Sequence, residues 1–405
     1  MGDGGADAKR DLLAAADRCV ACGLCLPHCP SYRVARVEGE SPRGRISLIR
    51  GWAAGTLATD AALQTHLDQC LGCLNCQTAC PAEVDYQALL TGVRAQLPPT
   101  GHGASRMARW VVAERWRLWL ANGLLRLATR FGAANWPWPA AWRARLAGLP
   151  ERPPARLRPA PERSSWLFGG CLSAPLDDAA RVAAAQLLAR LGQPVHDAAD
   201  SGCCGLLAQM AGDGTTATRL GESLVERLHD HGVDQLISVS SGCHGRLREL
   251  LRAERIELTD LGSALDKGLT SKPMAFAGPA VHVVMYEPCS QRAHIGGGTW
   301  SRLLQRIPGL SLVRLDQVPT CCGAAGAHHL QHPAQSGALR DELVAAVKAS
   351  EAQWLLVSNG GCAQYLRAGL RGSGVRVAHP VELLAERALG PLDPNRAAQR
   401  LRDRR

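Results

Sequence analysis

Residues 19–30 read CVACGLCLPHCP, and residues 70–81 read CLGCLNCQTACP. Each is Cys-x2-Cys-x2-Cys-x3-Cys-Pro. Three cysteines two residues apart wrap a tight loop around one cubane [4Fe-4S] cluster, and the fourth, just before proline, reaches the other cluster. That rule gives one cluster Cys19, Cys22, Cys25 and Cys80, and the other Cys70, Cys73, Cys76 and Cys29. The fourth cysteine is expected to start a helix leading away, with Pro30 or Pro81 closing the loop. Zinc favours paired Cys-x2-Cys knuckles with four ligands per ion, which the doubled spacing fits poorly. A two-cluster electron carrier is the expectation.

Between the motifs lie Ser41-Pro42-Arg43-Gly44-Arg45 and an apolar, helix-like stretch through Ile46, Leu48, Ile49 and Trp52. The two arginines read either as a solvated turn or as donors that raise the potential of a nearby cluster.

The chain has 405 residues, 46% of them apolar, enough for two or three domains with real cores. No long apolar run free of charge is present, so a membrane-spanning helix is not expected. The first residues carry Asp3, Asp7, Asp11 and Asp17 and resemble neither a signal nor a transit peptide. A cytoplasmic location is expected, with peripheral contact on the cytoplasmic face of the inner membrane left open. Sixteen cysteines in a reducing compartment indicate metal or redox chemistry rather than disulfides.

The net charge of +10 concentrates in residues 101–163, which hold twelve arginines against three glutamates. No nucleic-acid motif accompanies them. The same segment holds Trp110, Trp116, Trp119, Trp136, Trp138 and Trp142, and its second half is broken by prolines. It reads as a helical, then Pro-rich, linker. Tryptophan beside arginine suits a protein interface, an anionic membrane surface, or packing onto the chain's own domains.

The remaining cysteines form two sets: Cys171, Cys203, Cys204 and Cys243, then Cys289, Cys321, Cys322 and Cys362. Their offset is constant to within a single residue, and Cys203-Cys204-Gly205 answers Cys321-Cys322-Gly323, so this part of the chain is an internal duplication. The first half alternates strands near Trp166–Gly169, Val195, Gln235–Ser240 and Ile256–Thr259 with helices over Asp178–Leu191 and Thr216–His229. The second half repeats it with Val281–Tyr286, Trp300–Ile307, Leu310–Leu315, Ser336–Ala349, Trp354–Ser358 and Val375–Ala378. Such alternation implies an α/β lobe with a mostly parallel sheet, whose ligands collect at the strands' carboxyl ends. Each cysteine group follows a strand, so the four of a lobe can converge on one rim. The fold class is therefore α+β / α/β: a helical two-[4Fe-4S] ferredoxin-like domain, then two duplicated α/β lobes. The domains expected are 1–100 for the ferredoxin type, 101–163 for the linker, 164–280 and 281–390 for the lobes, and 391–405 for a basic tail.

The duplicated pattern resembles the cysteine-rich "CCG" domain of heterodisulfide reductases and of iron–sulfur subunits of 2-hydroxy-acid and glycerol-phosphate dehydrogenases. In the fullest family form five cysteines hold a noncubane cluster. Here Ser240 and Asn359 stand where the penultimate cysteine belongs, so each lobe keeps four of five. Over the whole chain the order and details resemble the iron–sulfur subunits of glycolate oxidases: Cys29-Pro30-Ser31-Tyr32, Ser41-Pro42-Arg43-Gly44-Arg45-Ile46, Ser241-Gly242-Cys243 and Cys321-Cys322-Gly323-Ala324-Ala325-Gly326. The resemblance implies a chain that passes electrons from an FAD-binding dehydrogenase subunit, which oxidises glycolate to glyoxylate, to a quinone or other acceptor. It also implies a further redox or metal site at the lobe cysteines. Related readings are a lactate or glycerol-3-phosphate dehydrogenase subunit, or a thiol–disulfide reductase of the heterodisulfide reductase type.

The chain itself carries no flavin or nicotinamide fingerprint, and Gly296-Gly297-Gly298 reads as a loop. No catalytic residue is assigned, so the chain alone is expected to be inactive. His244, His328 and His329 lie near the lobe cysteines, as ligands or proton donors or as satisfied polar groups.

Overall fold

The computed structural model describes residues 3–99, 165–171, 178–197, 202–315 and 321–390, with scattered positions between 106 and 124. The Pro-rich half of the basic segment and the tail 391–405 lie outside the described residues. Two compact units form. One comprises residues 1–110, 205–218 and 318–343, the other 111–204, 219–317 and 344–405.

The first unit opens with α1 (Asp3–Asp17), α2 (Pro30–Ala35), α3 (Pro42–Ala53), α4 (Ala61–Asp68), α5 (Asn75–Thr78) and α6 (Tyr86–Gln96). Local chemistry starts these helices. Pro30 and Pro42 occupy first helical positions, where the missing amide costs nothing. The Ser41, Asp60 and Asp85 side chains accept the Gly44, Leu63 and Ala88 amides. Leu12 and Ala16 of α1 bury themselves with Ile49 and Trp52 of α3 and with Leu89, Leu90 and Val93 of α6. Gly92 lets α6 approach α1, since a Cβ there would lie 2.9 Å from Leu12. One expectation needs correction: Pro30 opens a helix, but Pro81 opens only a turn. Glu83 takes a left-handed φ of +49°, and the chain re-enters helix only at Tyr86, behind the Asp85 cap.

The second unit holds two four-stranded sheets. The first contains β1 (Ser165–Phe168), β2 (His196–Asp197), β3 (Gln235–Ser238) and β4 (Glu257–Asp260) in the order β2-β1-β3-β4. The second contains β5 (Val281–Tyr286), β6 (Leu310–Arg314), β7 (Trp354–Val357) and β8 (Arg376–Ala378) in the order β6-β5-β7-β8. Every pairing is parallel, and the two orders are the same topology used twice. The central strands of the second sheet, β5 and β7, read as near-continuous apolar runs, as strands covered on both faces require. One core runs through both lobes, joining Leu167 and Ile237 to Val283, Met285 and Leu356, and helix Asp178–Arg190 packs on helix Pro380–Leu389. The helix expected at Trp300–Ile307 runs Thr299–Leu304, and Cys289–His294 adds a short helix.

Candidate iron–sulfur centres

The two cysteine loops of the first unit share an unusual backbone. Ala21 and Gly72 follow the same step of each motif and have φ of +56° and +61°; Gly23 and Leu74 follow the next and have φ of +83° and +59°. Alanine and leucine take this left-handed region only at a cost, and such strain gathers at functional sites. The twist turns each loop around a cavity. Cys19, Cys22, Cys25 and Cys80 line one of about 470 Å³, together with Cys76. Cys70, Cys73, Cys76 and Cys29 line a second of about 290 Å³. The fourth cysteine of each motif therefore borders the space its partner motif builds. Five thiols around the first cavity and four around the second, with Cys76 shared, suit four-iron cubes better than single ions. Among the described residues, no three His, Cys, Asp or Glu side chains close on a single-ion position.

The electrostatics of the two cavities differ. Cys22 is exposed and Cys19 and Cys25 are half-buried, whereas Cys29, Cys70 and Cys76 are buried. Burial pushes the Cys25 thiol up, against backbone amides that pull it down, and pushes Cys76 well up, reinforced by the neighbouring Cys73 and Cys70. Cys70 goes the other way. Burial would raise it, but the Arg45 and Arg94 guanidinium groups, the Gly72 amide and the Tyr86 hydroxyl hold it below its ordinary value. Arg45 is fully buried, ion-paired with Glu40, and donates to the Ser31 hydroxyl at 2.9 Å and the His66 carbonyl at 2.7 Å. Ser31 in turn stands 3.2 Å from Cys29 Sγ, and Tyr86 donates to Cys70 Sγ at 3.6 Å. His66 Nδ1 lies 2.6 Å from the second Glu40 oxygen. Arg43, paired with Glu38 on the surface, donates to the Ala21 carbonyl at 3.2 Å. The two arginines left equivalent by the sequence thus differ: Arg45 is a core cation, and Arg43 braces a loop.

Arg94 carries no sequence motif, and sequence reasoning missed it. It sits on the buried face of α6, one helical turn after Leu90, and only 6% of it is exposed. It donates to the carbonyls of Leu67 (2.6 Å), Cys70 (3.0 Å) and Met210 (2.9 Å), and its Nε has no partner. An arginine at i+4 from a leucine on an apolar helix face was the available signal.

In the second unit Cys171 follows β1, Cys203 and Cys204 follow β2, and Cys243 follows β3, all at carboxyl ends of strands. Their thiols meet. A hydrogen bond with Cys203, then burial and the charge of Cys203 and Cys243, pushes Cys171 well up. Bonds with Cys203 and Cys243, then burial, do the same to Cys204. Gly170 makes room, since a Cβ there would lie 3.3 Å from Cys243 Sγ. In the other set, Cys289 follows β5 and Cys362 follows β7 in the same unit, while Cys321 and Cys322 belong to the first unit, where Cys321 packs with Leu71 and Leu339.

Of the two residues at the missing-cysteine positions, Asn359 caps its helix with its side chain and Ser240 makes no side-chain capping bond. Asn359 caps helix Gly360–Gly369 by accepting the Gly361 and Cys362 amides at 3.0 and 3.2 Å, and donates to Ser290 at 3.2 Å. Ser240 opens helix Ser241–Leu250, whose Ser241 hydroxyl meets Ser290 at 2.9 Å. The histidines are satisfied groups. His244 Nδ1 bonds Ser238 at 2.8 Å, and burial, then Arg248, lowers its pKa to about 4. His328 bonds Gln335 at 2.8 Å and is lowered to about 3, chiefly by burial. His329 bonds the Ala324 carbonyl. Trp110 and Trp116 are more than half exposed; Trp119, Trp136, Trp138 and Trp142 lie outside the described residues. No described helix is long and apolar enough to cross a membrane. Gly296–Gly298 is a loop, closed by Glu287 accepting the Gly298 amide at 2.7 Å.

Comparison with known families agrees with this arrangement. The 4Fe-4S dicluster domain matches residues 15–84, and the cysteine-rich (CCG) domain matches 166–248 and 283–367. The glycolate oxidase iron-sulfur subunit of Escherichia coli is 28% identical, over 91% of this chain and 93% of its own length. The probable glycolate oxidase iron-sulfur subunit of Bacillus subtilis is 29% identical over the same shares. One component of the dihydromethanophenazine:CoB–CoM heterodisulfide reductase of Methanosarcina acetivorans is 24% identical over 76% of this chain and 78% of its own.

Proposed function

We propose that this chain, a homologue of the glycolate oxidase iron–sulfur subunits built from a 4Fe-4S dicluster domain and two CCG domains, is the electron-conducting subunit of a glycolate oxidase-type complex. It holds two [4Fe-4S] clusters, one on Cys19, Cys22, Cys25 and Cys80, the other on Cys70, Cys73, Cys76 and Cys29. The observation that carries this reading is the crossed lining of the two cavities. The clusters supply one-electron carriers. The chain's own part is to fix them in two strained loops, close the second behind Tyr86 and Arg45, and leave Cys22 at the surface to face a donor. An FAD-binding partner would oxidise glycolate to glyoxylate and deliver the electrons, and a quinone or other acceptor would receive them. The choice between glycolate, lactate and glycerol phosphate lies with that partner. The touching thiols Cys171, Cys203, Cys204 and Cys243 are read as a further redox site, and Cys289, Cys321, Cys322 and Cys362 answer them in the duplicated sequence.

The test is chemical and kinetic. The anaerobically purified chain should contain at least about eight iron and eight sulfide, from two cubanes, and should not oxidise glycolate. Mixed with its flavin partner and glycolate, its clusters should become reduced. Glycolate oxidation by the pure chain, or iron far below this amount after full reconstitution, would overturn the reading.

A further inference from the structure

Buried positive charge is distributed unequally between the two cavities. Around the one lined by Cys19, Cys22 and Cys25, the nearby cations are at the surface and paired: Arg43 with Glu38, and Arg50 with Asp17. Around the one lined by Cys70, Cys73 and Cys76, both cations are buried. Arg45 is matched by the Glu40 carboxylate. Arg94 is paired with no carboxylate among the described residues and is held by four backbone carbonyls, those of Leu67, Asp68, Cys70 and Met210.

A buried, unpaired guanidinium is expensive unless something negative stands by it. A cubane held by four thiolates is such an anion, and each added electron makes it more negative. The arrangement therefore makes chemical sense as a cation waiting for the cluster, and it stabilises the reduced form more than the oxidised one. Hydrogen bonds act in the same direction, since Tyr86 donates to Cys70 and Ser31 stands by Cys29. Water at the exposed Cys22 also favours the reduced form of the other cluster, but it is a screened, mobile response. A fixed charge in the interior is screened much less.

We propose that Arg94 sets the reduction order of the two clusters, making the one on Cys29, Cys70, Cys73 and Cys76 the higher in potential and so the resting place of the first electron. This rests on the two-cluster reading above. Arg94 is a positioning residue, which acts through charge and through the Cys70 carbonyl. The same guanidinium grips Met210, in the short helix that follows Cys203-Cys204-Gly205 within the first unit.

The test is a stepwise reductive titration of the full-length, iron-loaded chain, followed by electron paramagnetic resonance. Cys22→Ser first labels the signal of the exposed cluster. In the native chain the unlabelled signal should appear first as the potential is lowered. Arg94→Gln should lower the potential of that signal alone, and Arg94→Lys should restore most of it. Should Arg94→Gln fail to assemble, Arg94→Met, which keeps the apolar stem and removes the charge, reads the same shift, and an unchanged potential in the charge-free variant would overturn the proposal. Reduction of the exposed cluster first, or an Arg94→Gln shift confined to the Cys22-labelled signal, would overturn the proposal. Absence of two cubane signals in the native chain would instead overturn the two-cluster reading.

Discussion

The glycine after each double cysteine offers a controlled experiment. Gly323 has φ of +78°, and a Cβ placed on it would lie 2.4 Å from the Ser336 carbonyl oxygen, a backbone atom in a fully buried residue. Gly55, in the same unit, has the same φ of +78° but nothing within 4 Å. Gly55→Ala therefore carries only the left-handed strain, about 1–2 kcal/mol. Gly323→Ala carries that strain and an overlap that no side-chain rotation can relieve, about 1–3 kcal/mol more. At roughly 2 °C per kcal/mol for a chain of this size, the two variants should differ by about 2–6 °C in thermal midpoint. The assay is anaerobic thermal unfolding of both variants beside the native chain, with alkylation of Cys321 and Cys322 read by mass spectrometry. These buried thiols should react faster in Gly323→Ala and not in Gly55→Ala. Equal midpoints for the two variants would refute the claim that Ser336 dictates glycine at this turn.

Arg45→Ala removes the cation from a buried pair and should cost about 3–5 kcal/mol, read as a fall in thermal midpoint; Arg43→Ala, on the surface, should leave the midpoint nearly unchanged. A small Arg45 effect would deny the Glu40 pair its structural role. His328 and His379 are lowered to about 3, in each case chiefly by burial. Below its ordinary pKa near 6.5 the unfolded chain binds a proton at each, and the folded chain does not until about 3. Stability should therefore fall as pH drops from 6.5 toward 3, by up to about 1.4 kcal/mol per pH unit per histidine, and be flat from these groups above 7. Unfolding midpoints across that range check it, and a midpoint that rises on acidification would contradict it. With metal removed, Cys204 should resist iodoacetamide near neutral pH while the exposed Cys22 reacts; rapid Cys204 alkylation would contradict its raised pKa.

The cysteine loops were legible because a three-residue spacing along a chain translates directly into a loop of fixed curvature. The duplication was legible because two copies of one topology preserve their offsets, as β1 and β3 of the first lobe and β5 and β7 of the second show. Cys171, Cys243, Cys289 and Cys362 lie just past the carboxyl ends of their strands, whereas Cys321 and Cys322 belong to the first unit. Less legible were features decided by tertiary partners. Arg43 and Arg45 are identical in type and adjacent in pattern, and only the fold sends one inward to Glu40 and the other to the surface. Arg94 looks like an ordinary helix residue until the carbonyls of Leu67, Cys70 and Met210 surround it. Pro81 failed to start a helix because the local turn at Glu83 outweighed the proline signal. The two-residue strand His196–Asp197 carries too short a pattern to delimit from periodicity.

Each motif, on the reading proposed above, donates its last cysteine to the other motif's cluster. Electron paramagnetic resonance of Cys80→Ser, set against Cys22→Ser and Cys73→Ser as references for the first and second clusters, tests this most directly. The crossed arrangement predicts that Cys80→Ser perturbs the signal altered by Cys22→Ser, although Cys80 belongs to the second motif. A Cys80→Ser spectrum that matches Cys73→Ser would contradict it.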